Sequence, residues 1–416
     1  MKDTAKRESL EEEGTLGLRL VELVREDLRT FVVRSGMEAL AQMLEEERAV
    51  LCGARYRHDP DRTCSRAGYA PGELVMGGRR VSVARPRVRD RDDREVPLTS
   101  WRAFGDEDPL DERAVRQMLL GVSTRKYGRS LEPLGPELHE RGTSKSAVSR
   151  RFVEVTSKKV DEWLGRALDS VDPVTIMIDG IHVDEHVFLV VLGIDIEGKK
   201  HVLGVRDGAT ENATSCRELL CDLRERGLAT DKPTLFVLDG SKALARAVRD
   251  VFGERARIQR CQVHKTRNVV EQLPESMRAS VRAAMRQAYR TPNADKAKQQ
   301  LLNLARRLRE AHPAAAASLE EGLDETLTVK RLGLPAQLER ILSTTNAIEN
   351  LMGSVRDQTR RVKKWKDGRM MLRWVATALE DASTRFRRVM GRMSMRDLAT
   401  ALRGVTTRIA QETNAA

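Results

Sequence analysis

The chain has 416 residues and a formal net charge of +12, with 74 lysines and arginines against 62 aspartates and glutamates. This excess favours a polyanionic partner, because neutralising phosphates releases counterions from nucleic acid. No apolar run approaches the ~20 residues that a membrane span needs, and the charged N-terminal stretch lacks the apolar segment of a signal peptide. Five cysteines without a regular spacing fit a reducing cytoplasm. We therefore expect a cytoplasmic protein of roughly two to four domains that contacts no membrane.

The N-terminal region, residues 1–110, is predicted to be helical and then extended. Apolar residues recur at helical spacing between Leu16 and Ala49. Apolar and basic residues then alternate around a proline in "RRVSVARPRVRD", which is typical of a strand or an extended ribbon.

Residues 111–170 are predicted to be helical and to resemble a helix-turn-helix. "STRKYGRSL" can begin a helix at Ser123, and "GTSKSAVSRRF" can begin another after the candidate caps Gly142 and Thr143. One face of the second helix is apolar, at Val148, Phe152 and Val155. Small hydroxyl and basic side chains on its other surfaces suit a DNA major groove; they belong to Lys145, Ser149, Arg150 and Arg151. The alternative is an ordinary surface helix that happens to carry basic side chains. The pattern alone does not decide between a DNA-binding helix and a surface helix.

Residues 171–270 alternate strands and helices. The strands "VTIMID", "VFLVVLGID" and "KKHVLGVRD" come first, and the turn "IEGKK" makes them an antiparallel meander. An amphipathic helix stopped by Gly227, the strand "TLFVLD", a helix between Ser241 and Gly253, and the short strand "RIQRCQVH" follow. The order β-β-β-α-β-α-β favours the first part of a ribonuclease-H-like core over a doubly wound parallel sheet.

The C-terminal part has almost no strand signal. Residues 271–342 are predicted to form an all-helical insertion, and residues 343–416 to complete the core. "STTNAIENLMGSVRDQTRRVKKW" carries an apolar stripe, so we expect a helix with one buried face there, and residues 370–403 continue as helix. The predicted fold class is therefore α/β: a ribonuclease-H-like catalytic core with an all-helical insertion, preceded by a mainly helical DNA-binding region.

Three acids are candidates for a metal site. Asp179 and Asp239 each end a predicted buried strand and precede a glycine. Two such strands in one sheet can bring the carboxylates together, and their repulsion raises one pKa unless a cation lies between them. Mg²⁺ is the expected cation because it takes oxygen ligands and keeps waters for a substrate phosphate. A two-metal site needs a further acid, and Glu349, beside the apolar stripe of the later helix, is the candidate.

Other interpretations of these acids stay open. An aspartate and a glycine after a strand are commonly just a turn, and a lone helical glutamate is commonly a surface residue. Neighbouring acids are rivals: Asp184, Glu185, Asp195, Asp207 and Glu211. Asp195, which precedes "IEGKK", is more easily explained as a turn residue.

Basic side chains follow Glu349 along its helix. Arg356 lies nearly two turns later and shares the side of Glu349. The following cations extend a surface that suits phosphate contacts: Arg360, Arg361, Lys363 and Lys364.

A second group of candidate residues, in "QRCQVHKTRN", lies between Asp239 and Glu349 in the sequence. Cys261 and His264 form at most half of a zinc site, because no second pair is close in sequence. We expect them to support the catalytic centre, or His264 to contact the scissile phosphate. Lys265 and Arg267 are further candidates for DNA binding.

Six motifs follow one another in order: "MIDG", "GATENATSCRELLCDLRERGL", "FVLDGSKALARAV", "QRCQVHKTRNVV", "STTNAIEN" and "RMMLRWVA". Together they resemble the Mutator-type transposases of bacterial insertion sequences. The resemblance implies a DDE transposase, with Asp179, Asp239 and Glu349 as catalytic acids that hold two Mg²⁺ ions, for which Mn²⁺ can substitute. It places Cys261 and His264 on the family's C-x-x-H motif, and Arg356 on the basic residue after the glutamate.

The resemblance also implies an activity on DNA. The N-terminal region would bind the terminal inverted repeats of an insertion sequence, and the core would cut one strand and join the 3′-hydroxyl to target DNA. Joining two ends implies a homodimer or a larger assembly on DNA. Two alternatives are a ribonuclease-H-like nuclease that never joins strands and a DNA-binding regulator without activity. The helical insertion argues against the first, and the three intact acids argue against the second.

Overall fold

The computed structural model describes residues 28–55, 62–76, 79–106, 111–130, 140–141, 145–208 and 212–414. The chain divides into two compact units, Met1–Thr156 and Ser157–Ala416. The domain boundaries expected from the sequence are finer than this division and stay predictions.

The first unit combines helices with an antiparallel ribbon. Its elements are α1 (Leu28–Cys52), β1 (Cys64–Met76), β2 (Arg79–Asp90), β3 (Glu95–Val96), α2 (Thr99–Asp106), α3 (Asp111–Leu119), α4 (Tyr127–Ser130) and β4 (Glu140–Arg141). The ribbon expected from the alternating pattern is confirmed, because β1 pairs with β2 in antiparallel register and β3 and β4 both pair with β2. The helix expected from Leu16 onwards is confirmed from Leu28; its first part lies outside the described residues.

The region predicted to be helical after residue 110 is less regular than expected. The helix expected at Ser123 begins only at Tyr127 and lasts four residues. The two-residue strand β4 then interrupts the helical region. The next helix, α5 (Lys145–Gly165), has 21 residues. Its candidate caps Gly142 and Thr143 lie outside the described residues. Val148 and Phe152 are buried on α5, as the apolar spacing predicts.

The second unit contains a five-stranded sheet with the order β7-β6-β5-β8-β9. Its elements are β5 (Pro173–Val183), β6 (His186–Asp195), β7 (Lys200–Asp207), α6 (Ala213–Glu225), β8 (Thr234–Leu238), α7 (Lys242–Phe252) and β9 (Ala256–Arg260). The meander is confirmed, because β5, β6 and β7 pair in antiparallel register. β8 and β9 then add in parallel. The structure therefore has the predicted β-β-β-α-β-α-β order.

Helix caps explain where the two helices between strands begin. The Asn212 side chain accepts hydrogen bonds from the amides of Thr214 and Ser215 at the start of α6, and Ser241 caps α7 as predicted. Such side chains satisfy amides that have no partner within the helix. Gly253, with a φ of +57°, ends α7 in a conformation that favours glycine.

The rest of the second unit is helical. Its helices are α8 (Gln262–Glu271), α9 (Glu275–Arg290), α10 (Ala294–Arg309), α11 (Pro313–Glu320), α12 (Thr328–Arg331), α13 (Ala336–Leu342), α14 (Asn346–Thr359), α15 (Gly368–Ser383) and α16 (Met395–Asn414). No strand interrupts residues 262–414, as expected. The prediction of continuous helix over residues 370–403 was wrong, because α15 ends at Ser383 and α16 begins at Met395.

Helices cover both faces of the sheet. Ile176 and Ile178 of β5 pack in a core with α6 and α7. Met177 and Ile181 point to the opposite face and pack in a core with α14, α15 and α16. Successive strand residues alternate between the two faces, and because both are covered the strand is apolar throughout.

Candidate active site

The two aspartates leave neighbouring strands at the same level of the sheet. Ile178 of β5 pairs with Leu238 of β8 in parallel register, and Asp179 and Asp239 are the next residues on the two strands. The prediction that Asp179 ends its strand was wrong, because β5 continues to Val183 along β6. The neighbouring strand β8 ends beside Asp179. From Asp179 onwards, the edge of β5 that paired with β8 is therefore open.

Strand periodicity places both aspartates on the face that carries α14. Met177 and Ile181 flank Asp179 at period two, and Val237 precedes Asp239 at the same period; all three apolar residues belong to the core that contains α14. Ile348, Leu351 and Met352 anchor α14 in this core.

Glu349 lies in the first turn of α14, next to the buried Ile348. Its side chain is 33% exposed. The sheet and α14 together bring Asp179, Asp239 and Glu349 into one electrostatic neighbourhood.

The charge environment of Asp179 is unusual. The pKa of its carboxyl is raised to about 6, chiefly by burial and further by the carboxylates of Asp239 and Glu349. The Gly180 amide, 2.8 Å from Asp179 Oδ1, and the His264 ring act in the opposite direction. Crowded carboxylates of this kind repel one another unless a cation lies between them.

Thr345 connects Glu349 with the C-x-x-H motif. Its hydroxyl oxygen lies 3.3 Å from Cys261 Sγ and 3.4 Å from His264 Nδ1, and it donates to Glu349 Oε1. Thr345 precedes α14 but does not cap the helix with its side chain. A hydroxyl has one proton to donate and two lone pairs, so this single group links all three neighbours. Sequence reasoning missed Thr345; its position just before the helix of Glu349 was the available signal.

Cys261 and His264 lie at the start of α8 and not on a strand, so the prediction that "RIQRCQVH" is all strand was wrong after Arg260. Cys261 is the residue before the helix, and its amide donates to Leu238 O at 2.8 Å. The next amide, of Gln262, donates to Ser343 O at 3.0 Å. These two bonds turn the chain out of the sheet and position α8 beside the start of α14.

The thiol of Cys261 and the imidazole of His264 shift each other's pKa. Burial alone would raise the pKa of Cys261, but hydrogen bonds with His264 and Thr345 outweigh it and lower the pKa. The pKa of His264 is raised, first by its hydrogen bond with Cys261 and further by the charges of Glu349 and Asp179. One ligand atom from each of Cys261, His264 and Glu349 lies within 4.8 Å of the others. The sequence offered no third ligand near the C-x-x-H motif, and the fold supplies Glu349 from α14.

The space over Gly240 is occupied. Gly240 has a φ of +113°, and a Cβ added there would lie 2.3 Å from Arg260 Nε. The glycine therefore admits the side chain of Arg260, which also bonds to Glu321.

The rival acids have other partners or positions. Asp195 accepts from the amides of Glu197 and Lys199 and contacts His201 at 2.8 Å, as a turn residue does. Asp207 contacts His186 at 2.6 Å. Asp184 and Glu185 form the tight turn between β5 and β6, and Glu211 lies outside the described residues.

The predicted DNA-binding residues differ in accessibility. Most of them are exposed: Lys145, Ser149, Arg150, Arg267, Arg356, Arg360, Arg361, Lys363 and Lys364. Arg151 is half-buried. Arg356 lies nearly two turns from Glu349, about 10 Å along α14, so it is not part of the acid cluster.

Lys265 is the exception, and its assignment to DNA binding was wrong. Its side chain is 0% exposed. The ammonium donates to the carbonyl oxygens of Ser318 and Glu321, so it joins α8 to the end of α11 and is inaccessible to a phosphate.

No helix among the residues that the structure describes is both long and apolar enough to cross a membrane.

Comparison with known proteins identifies the family. Residues 15–389 match the family described as "Transposase, Mutator family". The chain is 31% identical over 281 residues to the transposase for insertion sequence element IS6120 of Mycolicibacterium smegmatis, a match that covers 65% of this chain and 83% of that protein. It is 25% identical over 375 residues to the transposase for IS905 of Lactococcus lactis, covering 86% of this chain and 90% of that protein.

A third relative matches more strongly over a shorter stretch. The transposase for IST2 of Acidithiobacillus ferrooxidans is 36% identical over 175 residues, which are 42% of this chain and 58% of that protein. The family match extends over most of the chain, from the N-terminal helices to beyond α15. The chain belongs to the Mutator family of transposases.

Proposed function

We propose that this protein is a DDE transposase that binds the terminal inverted repeats of an insertion sequence, cuts one strand at each end and joins the resulting 3′-hydroxyl to target DNA. The observation that carries the proposal is the convergence of Asp179, Asp239 and Glu349. They come from two adjoining strands and a helix on one face of the sheet, and Asp239 and Glu349 both raise the pKa of Asp179. The strand order and the helices between β9 and α14 support a ribonuclease-H-like core with a helical insertion.

The residues fit a divalent metal of the Mg²⁺ type. Carboxylate oxygens are the ligands that Mg²⁺ and Mn²⁺ prefer. Burial chiefly raises the pKa of Asp179, and Asp239 and Glu349 add to this, so a cation among the three acids would favour the charged form of Asp179. Asp179, Asp239 and Glu349 would hold two such ions. When bound, the metal supplies positive charge that activates a water or a 3′-hydroxyl and stabilises the leaving oxygen.

The chain's own residues then position the reacting groups. Asp179 is fixed by the sheet and by the Gly180 amide, and Asp239 accepts a hydrogen bond from the Ser241 amide at 2.9 Å. Thr345 holds Glu349 in place at the start of α14. Rigid supports of this kind hold phosphodiester oxygens in line for displacement.

Cys261 and His264 are proposed to support the centre and not to form a separate zinc site. Cys261, His264 and Glu349 surround the hydroxyl of Thr345, which already links them. The pKa of His264 is raised, and a protonated His264 ring would place positive charge near Asp179 and Glu349. That charge moderates the repulsion among the acids and is suited to contact a phosphate.

DNA contacts are proposed outside the acid cluster. The exposed cations on and after α14, Arg356 to Lys364, suit contacts to the phosphate backbone, and such contacts position DNA without reading its sequence. Lys145, Ser149, Arg150 and Arg151 on α5 are proposed to read the inverted repeats. Action on paired ends would require a dimer or a larger assembly on DNA.

A strand-transfer assay with the native element ends and Mg²⁺ tests this function. Asp239→Asn should abolish cleavage and joining and keep DNA binding, because the substitution removes a metal ligand at nearly constant volume. Asp231→Asn is the matched control: the residue is exposed in the loop before β8, so this variant should cut and join normally. A wild-type protein that cleaves but never joins would support the nuclease alternative. Joining by Asp239→Asn would overturn the assigned site.

A further inference from the structure

A groove lies beside the candidate active site, within the helical part of the second unit. It has a volume of about 1170 Å³ and runs between α8, α9 and α13. Five arginines line it: Arg267, Arg282, Arg286, Arg290 and Arg340. We call it the arginine groove. Small-molecule sites commonly have volumes of ~300–1,000 Å³, so this groove suits part of a longer ligand.

The arginine groove has a large uncompensated positive charge. All five arginines are exposed, and none forms an ion pair with an acid of the described chain. The acid that lines the groove, Glu339, is bonded to Lys330. Scattered surface arginines are ordinary, but five that converge on one concavity repel each other and attract a polyanion.

The three arginines of α9 form a row. Arg282, Arg286 and Arg290 are spaced by four residues, so they follow one another about 6 Å apart along the helix axis. A row of this kind matches a ligand with repeated negative charges along its length, such as a phosphodiester backbone, better than a ligand with a single anionic group.

The groove ends next to the acid cluster. Ser343 and Thr344 line it, and the next residue, Thr345, donates to Glu349. From the other side, Gln262 lines the groove and follows Cys261 directly. A DNA strand that lies in the groove would therefore pass close to Asp179, Asp239 and Glu349.

We propose that the arginine groove holds a single DNA strand that continues from the active site along α9. This proposal rests on the proposed transposase function. A single strand is favoured over a duplex because a volume of about 1170 Å³ is close to that of a small-molecule site. The wall of the groove also offers apolar surface at the exposed Val263. Bases can pack against such surfaces while arginines follow the backbone.

The test measures binding of the full-length protein to a fluorescent single-stranded oligonucleotide and to the matching duplex, without added metal, over a salt series. The variant is Arg282→Gln with Arg286→Gln. The matched control is Arg306→Gln with Arg307→Gln, two exposed arginines of α10 that do not line the groove. Melting temperatures of all proteins verify that folding is unchanged.

The groove variant should bind the single strand about tenfold more weakly, and its plot of log K against log salt should be shallower by about 1.4, since each lost phosphate contact on a single strand contributes about 0.7. The control should stay within twofold of the wild type. Equal losses in both variants, no loss in either, or a loss for the duplex alone would overturn the proposal. Asp239→Asn binds normally in this assay if the proposed function holds, and its cleavage activity reports on the catalytic site separately.

Discussion

Asp179 and Asp239 extend from neighbouring parallel strands directly after the paired residues Ile178 and Leu238. Since β8 ends there and β5 continues, the two carboxylates lie at an opening in the sheet and on the face that α14 covers. The apolar strands before them are rigid, so they fix both aspartates without a flexible loop. This arrangement has energetic consequences that can be measured without DNA.

Asp179→Asn should stabilise the metal-free protein at neutral pH. The pKa of Asp179 in the folded chain, about 6, exceeds its ordinary value of 3.8. The folded state therefore binds this proton more tightly than the unfolded state, and stability falls as pH rises from about 4 to 6. Above that window the ionised carboxylate costs about 3 kcal/mol of folding free energy, which asparagine avoids.

Thermal unfolding at pH 4 and pH 7.5, in the presence of a chelator, measures this difference. The variant should melt higher than the wild type at pH 7.5 and at nearly the same temperature at pH 4. Asp231→Asn, the exposed control, should match the wild type at both. A variant that is equally or less stable at pH 7.5 would contradict the raised pKa of Asp179.

Addition of Mg²⁺ or Mn²⁺ should remove most of the advantage of Asp179→Asn. A cation that binds the folded acids raises stability by mass action, by about 2.7 kcal/mol at a concentration of 100 times the dissociation constant. The wild type should gain melting temperature at pH 7.5, whereas Asp179→Asn and Glu349→Gln should gain much less. Asp231→Asn should gain as much as the wild type. Equal gains in all four proteins would mean that the ion binds elsewhere.

Local patterns in the sequence were sufficient to predict the sheet. Apolar runs and the turn "IEGKK" predicted the meander, and the caps Ser241 and Gly253 predicted the bounds of α7. The positions of Asp179 and Asp239 followed from the strands that precede them. These features depend on residues that are close in sequence, so periodicity and capping rules can predict them.

Features set by distant contacts were not predictable from those patterns. Cys261 and His264 directly follow the short strand β9, but the helix α8 begins there, and its first amide, of Gln262, bonds to the distant Ser343 O. Lysine is usually a surface residue, yet the side chain of Lys265 is enclosed by carbonyl groups of α11 and the following turn. The role of Thr345 depends on the meeting of α8 and α14, which lie far apart in the sequence.

Thr345→Val should weaken catalysis without altering the acids themselves. Valine keeps the shape of threonine but cannot donate to Glu349 or bond with Cys261 and His264. Loss of a residue that orients a metal ligand commonly costs 10–100-fold in metal affinity or activity, and we expect a loss of about this size. Strand cleavage over a range of Mg²⁺ concentrations measures it.

Thr345→Ser distinguishes this positioning role from simple packing. Serine keeps the hydroxyl and loses the methyl group, so it should restore most of the activity and the Mg²⁺ dependence of the wild type. If serine behaves like valine, the methyl group matters and the hydroxyl does not, which would contradict the linking role of Thr345.

Lys265→Met should destabilise the fold and leave DNA binding unchanged. The buried ammonium donates to the carbonyls of Ser318 and Glu321, and it lies 4.0 Å from a carboxylate oxygen of Glu321. Methionine fills much of the space but leaves both carbonyls without this donor, at a cost of about 1–3 kcal/mol. Urea unfolding measures the cost, and the salt dependence of DNA binding should match that of the wild type.

Arg267→Gln is the matched comparison, because Arg267 lies two residues later on the same helix and is exposed in the arginine groove. This variant should keep the stability of the wild type and reduce the salt slope of single-strand binding by about 0.7. The pair therefore separates a cation that joins helices from one that faces a ligand. A shallower salt slope for Lys265→Met at unchanged stability would show that its side chain reaches DNA, and would contradict the structural role of Lys265.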